Sequence, residues 1–145
     1  SRHVISELRP GVLDHLGLVA AIEWYIKGFS SRSGLACSLV CSSDELPVSS
    51  DRDIAVYRIV QEALTNVSRH AKASSVAILI AARDKQLELV IDDDGCGISQ
   101  GALRKIDSFG VCGMRERAVA LGGKLWLENN QDAGTSVHLM LPLCR

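Results

Sequence analysis

No stretch of this 145-residue chain approaches the roughly 20 apolar residues that a helix needs to cross a bilayer, and its first residues lack the charged-then-apolar order of a signal peptide. Dense Lys/Arg blocks are missing as well. The 16 basic and 17 acidic residues leave a formal net charge of -1, so neither nucleic acid nor an anionic membrane surface has a footprint to bind. Five cysteines, at 37, 41, 96, 112 and 144, form no C-x-x-C and have no histidine at ligand spacing. That argues against a structural zinc site and for free thiols in a reducing cytosol. There is no Walker A G-x-x-x-x-G-K-[ST], no Rossmann G-x-G-x-x-G, no internal repeat and no low-complexity tract. The chain opens at Ser1-Arg2-His3 without an initiator Met. Its length suits one domain with its own core, so residues 1–145 are expected to form a single domain taken from a longer protein.

What is present centres on V-I-D-D-D-G-C-G-I, residues 90–98, where an apolar strand runs into three carboxylates and two glycines. Alternate side chains of a strand share a face, so Leu87, Leu89, Ile91 and Asp93 form one row, and Glu88, Val90, Asp92 and Asp94 the other. Asp93 thus continues the apolar row. A carboxylate aimed at a core needs a donor, a shifted pKa or a ligand, and Gly95 and Gly97 allow positive φ or a close approach of the backbone. The stretch reads as a pocket rim, with Asp92 and Asp94 on the solvent side or forming the turn.

Along the chain, Pro10 marks an entry segment, and Leu16, Val19, Ile22, Ile26 and Phe29 recur at helical spacing until Ser33-Gly34. Residues 35–42 form a short strand, and a polar loop leads to a cap at Ser50 or Asp51. The second helix spans about 51–70 with Val56, Val60, Ala63, Val67 and Ala71 as its core stripe. Beside it lies a polar stripe, Glu62, Asn66, Arg69 and His70, at i, i+4, i+7 and i+8. Asn costs roughly 0.6 kcal/mol against Ala in a helix interior, so propensity does not explain Asn66. Strands at 75–83 and 86–93 make a hairpin around Asp84-Lys85, a helix spans 114–121 up to Gly122-Gly123, and strands at 124–128 and 135–141 make a second hairpin. Hairpins outnumber crossovers, which predicts an α+β fold: a two-layer α/β sandwich with a mixed, mostly antiparallel sheet and helices on one face.

Three separated elements therefore offer themselves to one ligand: the polar stripe, the strand end at Asp93, and G-V-C-G-M-R-E-R at 110–117, a glycine-rich helix start suited to phosphate. These residues resemble the ATP-binding catalytic domain of bacterial sensor histidine kinases, within the gyrase, Hsp90, histidine kinase and MutL ATPase superfamily. Q-E-A-L-T-N-V-S-R-H-A at 61–71 looks like its N box, D-D-G-C-G at 93–97 like its G1 box, 110–117 like its G2 box, and A-G-T-S-V at 133–137 like its terminal G-T-x-V strand. With L-R-P-G-V-L-D-H-L-G-L at 8–18, they are similar to the nitrate/nitrite-sensor-like subgroup. Nearly the whole chain is covered, and four boxes in order make the likeness specific.

The resemblance implies a Bergerat-type ATP-binding fold with ATP and Mg²⁺ as cofactors. It implies that Asp93 accepts from the adenine amino group, that Gly95 and Gly97 let the nucleotide approach, and that Thr135 shares a water with Asp93. Asn66 would hold Mg²⁺, and Glu62 would act through the metal's water or orient the reacting group. Arg69 would face phosphate, His70 would lie near the nucleotide, and Gly110, Gly113 and Met114 would belong to the phosphate-side hinge. The lid segment Ile98–Phe109 is short and lacks an aromatic box. Cys96 and Cys112 read as small apolar filler rather than redox groups. No histidine stands in an E-L-H-D-like setting, so His3, His15, His70 and His138 read as surface or site-lining residues.

The implied activity is that of a protein histidine kinase: Mg-ATP is bound and its γ-phosphate passed to a histidine on an upstream dimerisation and phosphoacceptor domain, then to a helix-turn-helix response regulator. The parent would be a homodimer anchored in the inner membrane, with this domain on the cytoplasmic side. The competing reading is a nucleotide-dependent interaction module, or an anti-sigma-type serine kinase of the same superfamily. Intact Glu62 and Asn66 argue against a degenerate site.

Overall fold

The computed structural model describes residues 17–42, 50–96, 110–130 and 133–143. In chain order these form α1 (Leu18–Ser33), β1 (Ala36–Cys41), α2 (Ser50–Asn66) continued by a π-helical turn (Val67–Ala71), β2 (Ser75–Arg83), β3 (Gln86–Asp93), α3 (Val111–Ala120), β4 (Lys124–Asn129) and β5 (Thr135–Pro142). The sheet order is β1-β2-β3-β5-β4, with β1 and β2 parallel and the other pairs antiparallel. A mixed, mostly antiparallel sheet under a helical layer is the architecture expected.

Period-two alternation decides which face each strand buries. Leu39, Ile78, Ile91, Val137 and Leu127 stand in register across all five strands on the helix side. Ile78 and Ile91 are among the residues fully withdrawn from water, each worth about 1.5–3 kcal/mol of apolar burial. One residue along, Val40, Leu79, Val90, His138 and Trp126 form the parallel row on the open face. There the His138 ring stacks on Trp126 with centroids 5.0 Å apart, and its Nε2 lies 3.6 Å from Glu128. His138 is thus a surface residue of the sheet, remote from the helices.

In the helical layer α2 lies between α1, which packs on β1, and α3, which packs on β4 and β5. This central position explains why α2 buries more than its predicted stripe: Tyr57, Ile59 and Leu64 are buried beside Val56, Val60, Ala63 and Val67. On α1, Ile22, Ile26 and Phe29 are buried as expected, while Val19 is only partly covered and Ala21 takes its place inside. Gly34 ends α1 at φ 79°, its N–H donating to the Ser30 carbonyl at 2.9 Å. Asp84 and Lys85 turn the first hairpin with φ of 55° and 63°, the paired positive values of a type I′ turn.

Two expectations need correction. The third helix begins at Val111, not Met114, because Gly110 takes φ 65° and leaves the helix free to start behind it. Cys96 and Cys112 are both exposed, so neither is core filler. Leu16, the 8–18 stretch up to that residue, Gly97 and the 98–109 segment lie outside the described residues.

Candidate functional site

Strand alternation carries β3 inward through Leu87, Leu89 and Ile91 to Asp93, which is only 7% exposed. The chain then bends, and the Gly95 N–H returns to donate to Asp93 Oδ1 at 2.9 Å. From the first residue of β5, the Thr135 N–H donates to the same oxygen at 3.3 Å. Burial pushes the Asp93 carboxyl up from its ordinary value, these two donors pull it down, and the charges of Asp94 and Asp92 add to the rise. Among the described residues both donors converge on Oδ1, which leaves Oδ2 to a donor from elsewhere.

The neighbours of Asp93 are occupied differently. The Asp94 carboxylate accepts from the backbone N–H groups of Ser74 and Ser75, at 2.8 and 3.0 Å, and from both their hydroxyls, and these donors hold its pKa well below the carboxylate range. Asp92, on the open face, is hydrogen-bonded to the Ser136 hydroxyl. Asp94 is thus a clamp between β3 and the start of β2, and Asp92 a tie between β3 and β5. The Asn130 amide reaches the Asp93 main-chain carbonyl at 3.4 Å, and Gly134 packs against that carbonyl so closely that a Cβ would lie 2.6 Å from its carbon. Asn130 and the Ser74-Ser75 cradle went unread in the sequence, whereas Gly134 falls within the A-G-T-S-V stretch likened above to a terminal G-T-x-V strand.

A second cluster forms where α2 meets the start of α3. Glu62 is exposed on α2, and its side chain lies directly against Gly110, where a Cβ would stand 3.0 Å from Glu62 Cδ. Gly113 has open space around it, with nothing within 4 Å of a built Cβ. The Met114 N–H closes onto the Gly110 carbonyl at 3.2 Å, and its side chain, 2% exposed, is part of the core. No side chain caps α3, so its first N–H groups and the positive end of its dipole favour an anion.

Asn66 is half-buried at the end of the regular part of α2, one turn beyond Glu62, and Arg69 is exposed in the π turn. The wider i to i+5 spacing of that turn slips the helical phase. Glu62 and Asn66 therefore share a face as predicted, whereas Arg69 no longer follows the same α-helical line. The side chain of His70 is outside the description. Asp93, Gly95 and Thr135 form one cluster, and Glu62, Gly110 and Gly113 the other. Among the described residues no group of three or more His, Cys, Asp or Glu gathers as a metal cage. Oxygen donors from Asn66 and Glu62 fit instead a Mg²⁺ that keeps waters and takes phosphate oxygens.

Residues 51–145 match the family described as histidine kinase-, DNA gyrase B-, and HSP90-like ATPase. Over 98% of its length the chain is 35% identical to the signal transduction histidine-protein kinase/phosphatase DegS of Brevibacillus brevis, and over 97% it is 37% identical to UhpB of Salmonella typhimurium. It spans 36% and 28% of those two proteins. The blue-light activated histidine kinase EL346 of Erythrobacter litoralis shares its fold, with a TM-score of 0.74 and 23% identity across 87% of this chain and 45% of that one. The chain belongs to the histidine kinase-, DNA gyrase B-, and HSP90-like ATPase family.

Proposed function

We propose that this domain binds Mg-ATP and donates the γ-phosphate to a histidine of a dimerisation domain in the same protein, from which a response regulator is phosphorylated. The observation that carries this reading is Asp93. It is a buried carboxylate with one oxygen fixed by the Gly95 and Thr135 N–H groups, which leaves the other for the exocyclic amine of adenine. The ionised form is the stronger acceptor for a neutral amine, and the two main-chain donors oppose the cost of burying it.

Glu62 and Asn66 would supply oxygens for Mg²⁺, directly from the amide and through water from the carboxylate, and the ion would neutralise charge on the phosphates. The start of α3 at Gly110 and Gly113 would receive the phosphates on its N–H groups, with Arg69 as a further cation. In the transfer, a bond forms between the imidazole nitrogen and the γ-phosphorus while the bond to the bridging oxygen breaks, and ADP leaves. Glu62 would accept the ring N–H on the far nitrogen and take up its proton as positive charge develops. Positioning and charge neutralisation do most of the work in such a reaction.

The test uses the full-length protein and ATP labelled at the γ-phosphate. The reading expects label at an acid-labile, base-stable position, as for phosphohistidine, and none after Glu62→Gln although nucleotide still binds. Label on serine would select the serine-kinase alternative, and nucleotide binding without label would select the interaction module.

A further inference from the structure

The carboxylate of Asp93 closes a small ring on its own backbone. Oδ1 accepts from the Gly95 N–H two residues on, at 2.9 Å, so the ring runs through the peptide that joins Asp93 to Asp94. In such a turn the carboxylate is aimed only as firmly as that peptide is held, because rotating the peptide carries the Gly95 N–H with it. The peptide is held at both ends. Its N–H, that of Asp94, donates to the Ser75 carbonyl at 3.3 Å, and its carbonyl, that of Asp93, accepts from the Asn130 side-chain amide at 3.4 Å. The first tie joins neighbouring strands. The second comes from the turn after β4, a strand that β5 separates from β3.

Asn130 reaches that carbonyl because its turn is tight and its amide is oriented. Its main-chain N–H donates to the Gly134 carbonyl at 2.9 Å, which closes the β4–β5 hairpin one step beyond the Asn129–Thr135 pair. The closure sets Asn130 beside the glycine that packs on the same Asp93 carbonyl. An Asn amide has a donor end and an acceptor end, and reversed it would set its oxygen against the Asp93 oxygen. Ser136 holds the acceptor end. This residue is 4% exposed, and its hydroxyl is hydrogen-bonded to Asn130 Oδ1 and to Oδ1 of Asp92, its partner in register on β3. The one proton of that hydroxyl is shared between two acceptors. With Oδ1 engaged by Ser136, Nδ2 of Asn130 is turned to the Asp93 carbonyl.

We propose that Asn130, oriented by Ser136, sets how strongly the site prefers a purine that carries a 6-amino group over one that lacks it. By fixing the peptide inside the Asp93 ring, it holds Oδ2 where the exocyclic amine arrives. The proposal rests on the adenine reading of Asp93 and adds two positioning residues, which act on the base through Asp93.

The experiment uses the full-length protein and two nucleotides, ATP and purine riboside triphosphate, each displacing a fluorescent ATP analogue. The second differs from ATP only in having hydrogen where the 6-amino group stands, so the ratio of the two affinities reads the contact to Asp93 Oδ2. Wild type should prefer ATP. Asn130→Ala and Ser136→Ala should each reduce that preference by roughly threefold to tenfold, the worth of one neutral hydrogen bond, while purine riboside triphosphate binds within about twofold of wild type. A loosened fold would weaken both nucleotides alike. An equal loss for both would therefore overturn the proposal, and so would a preference left as in wild type. Asp93→Asn separates the two readings. If it diminishes the preference and neither Asn130→Ala nor Ser136→Ala does, the proposal fails and the adenine reading stands. If wild type shows no preference for ATP, or Asp93→Asn leaves it intact, the adenine reading fails and the proposal with it.

Discussion

Gly134 and Asp93 are in backbone-to-backbone contact: the space a Cβ on Gly134 would take, at φ 89°, is filled by the main-chain carbonyl of Asp93. That carbonyl belongs to the residue whose side chain defines the pocket, so the glycine sets the position of the carboxylate. Gly134→Ala carries left-handed strain of about 1–2 kcal/mol and a clash that cannot be relieved by a rotamer. It should lower the melting temperature and, in whatever protein remains folded, weaken nucleotide binding at least tenfold. Gly113→Ala offers the contrast, since its Cβ would meet nothing. Replacing a helical glycine should raise stability without nucleotide by up to about 1 kcal/mol, while crowding the phosphate end and weakening ATP. A thermal melt and an ATP-analogue titration on each variant check both.

Asp93 and its neighbour Asp94 should respond to acid with opposite signs. The Asp94 carboxyl titrates below its unfolded value because Ser74 and Ser75 donate to the ionised form. Its contribution is complete above the unfolded pKa and is lost as pH falls through the folded one. Asp94→Asn should therefore be less stable than wild type at neutral pH, with the difference closing in strong acid. Asp93 titrates above its unfolded value, chiefly through burial, so its charge opposes folding above the folded pKa, and this cost disappears as pH falls to the ordinary carboxylate range. Denaturant melts across the acid range would show the two trends, and parallel curves for Asp93→Asn and Asp94→Asn would contradict the assignment.

Asp93→Asn separates stability from function. An Asn oxygen can still accept from the Gly95 and Thr135 N–H groups, and the buried charge is gone, so the fold without ligand should gain about 0.5–2 kcal/mol. The exocyclic amine of adenine would lose a charged acceptor, worth about 1.5–3 kcal/mol, or a ten- to hundredfold loss of affinity. A titration showing equal affinity for the ATP analogue would sink the adenine assignment.

At the first hairpin, Lys85 holds φ 63° with a side chain that gains nothing from it, whereas Asp84 is of a type that tolerates the conformation. Lys85→Gly should stabilise the protein by about 0.5–1 kcal/mol by relieving the second position of the I′ turn, without altering nucleotide affinity. The effect would appear as a higher denaturant midpoint at constant slope.

How much of this could be read from the residues depends on the range of the interaction. The inward row of β3, the glycine that ends α1 and the Asp84-Lys85 turn are local and periodic, and each stands where the pattern put it. The start of α3 was misplaced by three residues because Gly113 depresses helix propensity inside what is in fact the first turn. The stripe on α2 was drawn too narrow, since nothing in its own sequence says that helices flank it on two sides. The tie from Thr135 to Asp93 spans 42 positions and has no signature within any one segment; only the family resemblance put the two residues together.

The π turn at Val67–Ala71 holds one residue more than a regular helix would need for the same travel. A deletion in a helix ordinarily rotates everything downstream out of register. Here, removing one residue between Val67 and Ala71 would return the segment to ordinary helical pitch and leave Lys72 close to where it stands, so the length of α2 can change by one at this point without moving the sheet.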